Sequence, residues 1–189
     1  MLFSKLLMVV ALGASSMASA SIQGLYQADC LPIEDQGLSL VRSVSFDKVK
    51  DQDVASQAQI IYTDLTCEAA AYSFIFAGPY TIAADGAADF TSASIQLTAL
   101  DARVAASFTQ QKLCGIETWE VGKAQEVAGL DCGGSTIPAA GSITYDRVKE
   151  VETGIVFGAA TDTNDGTSAD KRPADYDETT VFKAVTPKQ

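Results

Sequence analysis

Apolar and polar residues alternate with a period of two along most of this 189-residue chain. Between residues 38 and 46, every second residue is mostly apolar, as in Leu38, Leu40, Val44 and Phe46. The residues between them are mostly serine. Successive side chains of a β-strand point to opposite faces, so this pattern predicts half-buried strands. The strand candidates, separated by turns that contain Gly and Asp, are residues 23–29, 38–47, 54–62, 70–83, 88–99, 117–123, 142–151, 154–160 and 179–185.

Helical periodicity is confined to residues 101–112, where Asp101 can cap the helix and Val104 and Phe108 lie on one face. Many short strands at regular spacing are typical of a β-sandwich or an up-and-down β-barrel. The polar stretch Thr161–Asp177 predicts a long, partly mobile loop before the last strand. Neither an internal repeat nor a linker divides the chain, so we predict a single domain over residues 21–189.

Residues 1–20 have the layout of a secretory signal peptide. Lys5 supplies a positive charge, residues 6–13 form a short apolar run, and Ala18-Ser19-Ala20 matches a signal-peptidase site. We expect cleavage before Ser21 and an exported protein, periplasmic or secreted; an uncleaved amino-terminal anchor is the alternative. No later stretch approaches the ~18 apolar residues of a membrane-spanning helix, so no transmembrane segment is expected in the mature chain.

Four cysteines follow the expected cleavage site: Cys30, Cys67, Cys114 and Cys132. An even number in an exported protein indicates two disulfides, for which three pairings are possible. Zinc binding is a poorer explanation because the chain has no CxxC pair and no histidine. If the first strands form a meander, Cys30 and Cys67 fall at the same end of the sheet, within disulfide reach. We therefore favour Cys30–Cys67 and Cys114–Cys132.

The mature chain is strongly acidic. Lys5 is the only charged residue of the segment 1–20, so twelve of the 13 basic residues remain beside all 24 acidic ones. Such a surface repels phosphate backbones and anionic lipid headgroups, and no Lys/Arg cluster interrupts it. No nucleic-acid partner is therefore expected, and solubility alone is enough to explain the charge.

Enzymatic chemistry finds little support in the sequence. Without histidine, Ser-His-Asp and Cys-His catalysis are impossible in their usual form, and no GxGxxG, P-loop or GxSxG motif is present. Glu117 and Glu120 could serve a glycosidase, but neighbouring surface acids are expected in so acidic a chain. Residues 162–166 resemble a calcium loop, but the glycine is fifth instead of sixth, which favours an Asx-rich turn. We predict no enzyme activity and no cofactor.

Several short motifs resemble those of lipocalin-like β-barrel proteins. They are Gly24-Leu25-Tyr26-Gln27-Ala28-Asp29-Cys30, Gly37-Leu38 followed by Arg42 and Phe46, Tyr62-Thr63-Asp64-Leu65-Thr66-Cys67, and Gly78-Pro79-Tyr80. More narrowly, residues 24–82 are similar to the family of extracellular domains of adenomatosis polyposis coli down-regulated protein and of small secreted bacterial proteins. Tyr26 stands where that family usually has tryptophan. The resemblance implies an all-β fold, an antiparallel up-and-down barrel of about eight strands, whose cavity takes an apolar or lipid-like ligand.

Arg42 is the one charge in the apolar row of residues 38–46, where a guanidinium needs an acid, carbonyls, water or an anionic ligand. An internal ion pair or a position near an open rim explains it without a ligand. The aromatic residues of the early strands either line a cavity or fill the barrel. The candidate ligand-binding residues are Arg42, Phe46, Tyr62, Phe74, Phe76 and Tyr80.

Two functions are consistent with these observations. The leading hypothesis is an exported binding protein for a small hydrophobic ligand. The alternative is a non-catalytic protein of the cell envelope, with a filled barrel whose loops and edges contact a protein partner that the sequence does not specify.

Overall fold

The computed structural model describes residues 22–186, so the expected signal peptide and its cleavage site lie outside the described residues. The described part contains a helix, α1, at Ala102–Gln111 and short 3-10 turns at Leu113–Gly115 and Ala169–Lys171. Its strands are β1 Gly24–Gln27, β2 Leu31–Ile33, β3 Leu38–Val49, β4 Gln52–Tyr62, β5 Ala70–Ile82, β6 Ala87–Ser92, β7 Ser94–Ala99, β8 Gln125–Glu126, β9 Ser142–Val151, β10 Gly154–Phe157 and β11 Phe182–Ala184.

Eight of these strands close into a barrel. They follow the order β1, β3, β4, β5, β6, β9, β10 and β11, and β11 pairs with β1 to complete the circuit. Every pair is antiparallel, and each barrel strand lies beside the next one along the chain. The predicted all-β fold, an antiparallel up-and-down barrel of about eight strands with one short helix, is confirmed.

The strands β3, β4 and β5 continue beyond one end of the barrel into what we call the extension sheet. There β2 pairs with β3, β7 with β5 and β8 with β7. Residues 88–99 were predicted to form one continuous strand, which is wrong because the strand breaks at Ala93. The first part, β6, joins the barrel, and the second part, β7, joins the extension sheet. A Cβ at Gly78 would overlap the carbonyl oxygen of Thr91, so glycine at this position of β5 allows the end of β6 to approach closely.

Two apolar cores lie along the inner face of the long strands. The barrel core is centred on aromatic rings, with Phe46 and Tyr80 in edge contact at 5.0 Å between ring centroids. The second core lies between the extension sheet and α1, and includes the buried Leu97 and Trp119. As predicted, Asp101 caps α1 by accepting hydrogen bonds from the next backbone N–H groups, and the apolar stripe of the helix packs on this core.

The two disulfides join the cysteines as predicted, Cys30 to Cys67 and Cys114 to Cys132. The first ties the connection between β1 and β2 to the loop between β4 and β5. The second ties the 3-10 turn after α1 to the segment before β9. Both therefore fasten loops around the extension sheet.

Three other predicted elements differ from the structure. Residues 117–123 form turns instead of a strand, because Trp119 is drawn into the second core and its backbone N–H donates to Thr109 Oγ1 at 2.8 Å. The short strand β2 was missed, since it contains a proline. The predicted strands 154–160 and 179–185 are shortened to β10 and β11, because the chain between them folds back against the barrel wall.

Candidate ligand-binding site

A cavity of about 210 Å³ lies at the end of the barrel from which β3 and β4 continue into the extension sheet. Side chains of β3, β4, β9, β10 and β11 form its walls. Part of the lining is apolar and aromatic, and the rest carries charges and amides. The lining residues are Arg42, Ser43, Val44, Gln57, Ala58, Gln59, Asp146, Phe157, Gly158, Ala160 and Phe182.

Strand register brings the polar residues of this lining together. Arg42 lies directly opposite Gln59, and the neighbouring pair is Val44 with Gln57. Directly opposed residues of an antiparallel pair present their side chains on the same face. Across the barrel, Asp146 is opposite Ala88, a fully buried residue of the barrel core. Arg42, Gln57, Gln59 and Asp146 therefore form a polar band on the inner face, at the edge of the barrel core.

Arg42 is half-buried and stacks on an aromatic ring. Its guanidinium carbon lies 5.5 Å from the centroid of the Phe182 ring, within the range of a cation–π contact. None of the ion pairs within residues 22–186 includes Arg42, so no described carboxylate lies within 4.0 Å of its nitrogens. The charge thus faces the cavity without a direct acidic partner.

Asp146 is the acidic residue of the cavity, and one of its two oxygens is already engaged. Oδ1 accepts hydrogen bonds from the backbone N–H of Arg147 at 2.7 Å and from that of Gly158 at 3.0 Å. Burial raises the pKa of this carboxyl, against the opposing effects of the two hydrogen bonds and of the positive charge of Arg172. A Cβ on Gly158 would lie 2.6 Å from Oδ1, so glycine allows this approach.

Arg172 fastens the segment between β10 and β11 to the barrel. Its guanidinium forms an ion pair with Asp89 at 2.6 Å and donates to the carbonyl oxygens of Ala88 and Asp146. It also lies over the ring of Tyr145 at 5.4 Å. These contacts join the segment, predicted to be a loop, to β6 and β9. The segment supplies Gly158 and Ala160 to the cavity lining.

A smaller cavity of about 30 Å³ lies between β4, β5, β6 and β9, with room for a water molecule. Gln57 lines both cavities. The small cavity also contacts Phe76 and Phe90 on its apolar side and Thr144 on its polar side. Gln57 of the polar band therefore lies between the two cavities.

The predicted site residues are divided between different parts of the molecule. Only Arg42 lines the larger cavity. Phe46 and Tyr80 belong to the packed barrel core, where the exposed fraction of Phe46 is 0%. Phe74 and Phe76 pack against the second core, and Phe76 also reaches the small cavity. A role of these aromatic residues in binding stays a prediction.

The predicted inward position of Tyr62 is wrong. Tyr62 is opposite Ser39 of β3, in the row that alternates with Arg42, so its side chain lies on the other face of the sheet. The inner row of β4 is instead Ala55, Gln57, Gln59 and Ile61. At the level of Val44 and Arg42, β4 therefore presents two amides on the inner face.

Sequence reasoning also missed most of the cavity wall: Gln57, Gln59, Asp146, Phe157 and Phe182. The alternation of residues 54–62 contained the two glutamines as one of two possible rows, but only the pairing with β3 selects that row. Asp146 carries no local signal, since acids are frequent throughout the chain.

The other residues considered for chemistry lie at the surface. Glu117 pairs with Lys112 at 2.8 Å, and Glu120 pairs with Lys123 at 2.7 Å, in exposed ion pairs. In the 162–166 stretch, Asp165 accepts hydrogen bonds from the backbone and hydroxyl of Thr167, as in an Asx-type turn. Over residues 22–186, no group of three or more Cys, Asp or Glu side chains is arranged to hold a metal ion. In the same range, no helix has the length and apolar character needed to cross a membrane.

No protein-family model matches this chain, and no curated protein is significantly similar to it in sequence.

Proposed function

We propose that this chain is an exported, non-catalytic binding protein of lipocalin-like type, which takes a small amphiphilic ligand into the cavity at the end of its barrel. The observation that carries the proposal is the lining itself, in which Arg42 has no direct acidic partner and stacks on Phe182, with Phe157 lining the same cavity. Two disulfides support a protein that works in an oxidising compartment.

The volume of the cavity indicates how large a ligand it can enclose. At ~30 Å³ for each water in the liquid, a cavity of about 210 Å³ corresponds to roughly seven waters. A compact ligand of about seven to ten non-hydrogen atoms fits this space. A long acyl chain would have to leave the cavity, and the same sheet face continues outward with the half-buried pair Leu40 and Ile61. The cavity volume narrows the expected apolar or lipid-like ligand to a small molecule. Arg42 in the lining favours one with an anionic group.

Replacing Arg42 tests the proposal. A charge-assisted hydrogen bond away from water contributes about 1.5–3 kcal/mol, so Arg42→Met should weaken binding of isocaproate roughly tenfold to a hundredfold. The neutral isocaproamide, of the same shape, should bind both proteins almost equally. Affinities are measured by NMR titration, because so small a ligand binds weakly.

Arg103→Met is the matched control, because the Arg103 side chain is 86% exposed on α1 and distant in sequence from the cavity wall. It should leave both affinities unchanged. If Arg42 serves only the fold, Arg42→Met lowers the melting temperature without changing the preference for the anion, and the headgroup role fails.

A further inference from the structure

The cavity contains one cationic and one anionic side chain that do not pair with each other. Arg42 projects from β3 and Asp146 from β9, and both line the same 210 Å³ space. No nitrogen of Arg42 lies within 4.0 Å of a carboxylate among the described residues, Asp146 included. We propose that the ligand is a zwitterion of the amino-acid type, with its carboxylate at Arg42, its ammonium group at Asp146 and its apolar part on the aromatic wall. This inference rests on the proposed function.

Asp146 is held in place by contacts that leave it able to accept another donor. Its Oδ1 is fixed by the backbone N–H groups of Arg147 and Gly158, and no hydrogen bond from residues 22–186 reaches Oδ2. Arg172 contacts the backbone carbonyl of Asp146, not its carboxylate. A partly buried carboxylate is costly unless it is well paired, and an ammonium group supplies a direct positive contact and up to three N–H donors.

Arg42, on the wall that faces Asp146, provides donors for the carboxylate of the ligand. Its guanidinium presents up to five donors in a planar fork, which suits a carboxylate. Stacking on Phe182 restricts the position of the fork, so less side-chain freedom is lost when an anion binds. A ligand with only one charge would pair with either Arg42 or Asp146 and would leave the other side chain without a partner.

The two amides of the polar band complete the recognition surface. Gln57 and Gln59 each carry a carbonyl oxygen and an NH₂ group, so they can accept from the ammonium or donate to the carboxylate. The apolar part of the ligand meets Val44, Phe157 and Phe182. Free leucine, which has nine non-hydrogen atoms, falls within the roughly seven to ten that the cavity volume allows.

The test compares three probes of the same shape on the unmodified mature protein. Leucine carries both charges, isocaproate lacks the ammonium group, and isoamylamine lacks the carboxylate. We expect leucine to bind at least about tenfold more tightly than either single-charge probe, because only leucine engages Arg42 and Asp146 together. NMR titration gives the three dissociation constants.

Asp146→Asn assigns the effect to the acidic wall. The amide oxygen of asparagine can still accept from Arg147 and Gly158, so the local fold is retained. This variant should bind leucine about as weakly as isocaproate and should bind isocaproate no less tightly than the parent protein does. Asp85→Asn is the matched control, since Asp85 also accepts a backbone hydrogen bond, from Ala87, but is exposed and outside the cavity lining.

The outcomes separate the zwitterion from the binding function itself. If isocaproate binds the parent protein as tightly as leucine, the zwitterion is overturned and the anionic ligand of the proposed function stands. If none of the three probes binds, both are overturned. The comparison of probes needs no variant, so it remains decisive even if Asp146→Asn fails to fold.

Discussion

Asp64 organises the loop between β4 and β5 with a single carboxylate. Its Oδ1 accepts from the backbone N–H of Thr66 at 2.7 Å and from that of Glu68 at 3.2 Å, while Oδ2 accepts from Ala69. Partial desolvation would raise the pKa of this group, but the hydrogen bonds outweigh it and lower the pKa to about 2. The loop that they shape holds Cys67 at a φ of 59°, in reach of Cys30.

The lowered pKa predicts how Asp64 contributes to stability as the pH changes. The unfolded chain binds the proton near pH 3.8 and the folded chain only near 2, so the contribution is present above about 3.8 and is lost as the pH falls towards 2. The melting temperature of Asp64→Asn should therefore lie below that of the parent protein at pH 5, and the gap should narrow between pH 4 and pH 2.

Thermal unfolding followed by circular dichroism, at steps of pH, measures this gap. The matched control is Asp35→Asn, because Asp35 is exposed and accepts no hydrogen bond within residues 22–186. It should show no gap of this kind. A constant difference between parent and Asp64→Asn at every pH would contradict the assignment.

The long strands β3, β4 and β5 link the barrel to the extension sheet, and a disulfide fastens the far end of this unit. Cys30–Cys67 joins the start of β2 to the β4–β5 loop with a Cα–Cα distance of 6.0 Å. The fully buried Ser39 of β3 lies beneath it, with Oγ accepting from the Cys67 backbone N–H at 3.2 Å. The disulfide thus holds β2, β3 and β4 together at the edge of the extension sheet.

Opening this disulfide should destabilise the fold. The 37-residue separation corresponds to about 3–4 kcal/mol in the chain-entropy treatment, so Cys30→Ser should lose about that much free energy of unfolding in urea. In this variant Cys67 should react with an alkylating reagent while Cys114 and Cys132 stay protected.

Cys114→Ser is the complementary variant. Its separation of 18 residues predicts a loss of about 3 kcal/mol, with Cys132 becoming reactive and Cys67 remaining protected. Protection of Cys67 in Cys30→Ser would contradict the pairing seen in the structure.

The whole molecule places its cavity between two cores that share one continuous sheet face. Along β4, Ala55 belongs to the barrel core, Gln57 and Gln59 face the cavities, and Ile61 lies opposite Tyr72 at the second core. The aromatic residues on either side pack against their own core. The two cavities lie along the polar band between them.

The proposed export predicts the covalent form of the mature protein. Intact mass of the exported chain should begin at Ser21 and lie about 4 Da below the fully reduced value, because each disulfide removes two hydrogen atoms. Mass spectrometry before and after reduction measures both quantities. Four free thiols in the exported protein would contradict the compartment assignment.

Patterns of neighbouring residues in the sequence were enough to predict most of the strands and the helix. The period-two alternation of residues 38–46 predicted β3, and Asp101 predicted the start of α1, because each signal depends only on neighbours along the chain. The pairing of the cysteines also followed from chain order, since a meander places Cys30 and Cys67 at one end. Arg42 was found for the same reason, as a charge in an apolar row.

The composition of the cavity wall depended on strand pairing. The hairpin between β3 and β4 turns at Lys50 and Asp51, both with positive φ, at 49° and 66°. This two-residue turn sets Val49 opposite Gln52, and hence Arg42 opposite Gln59. No glycine or asparagine marks the turn in the sequence, and a slip of one residue would exchange the two faces of β4. The alternation alone therefore determined that β4 is a strand, whereas only the register set by the folded hairpin decided that its amides, not Tyr62, face Arg42.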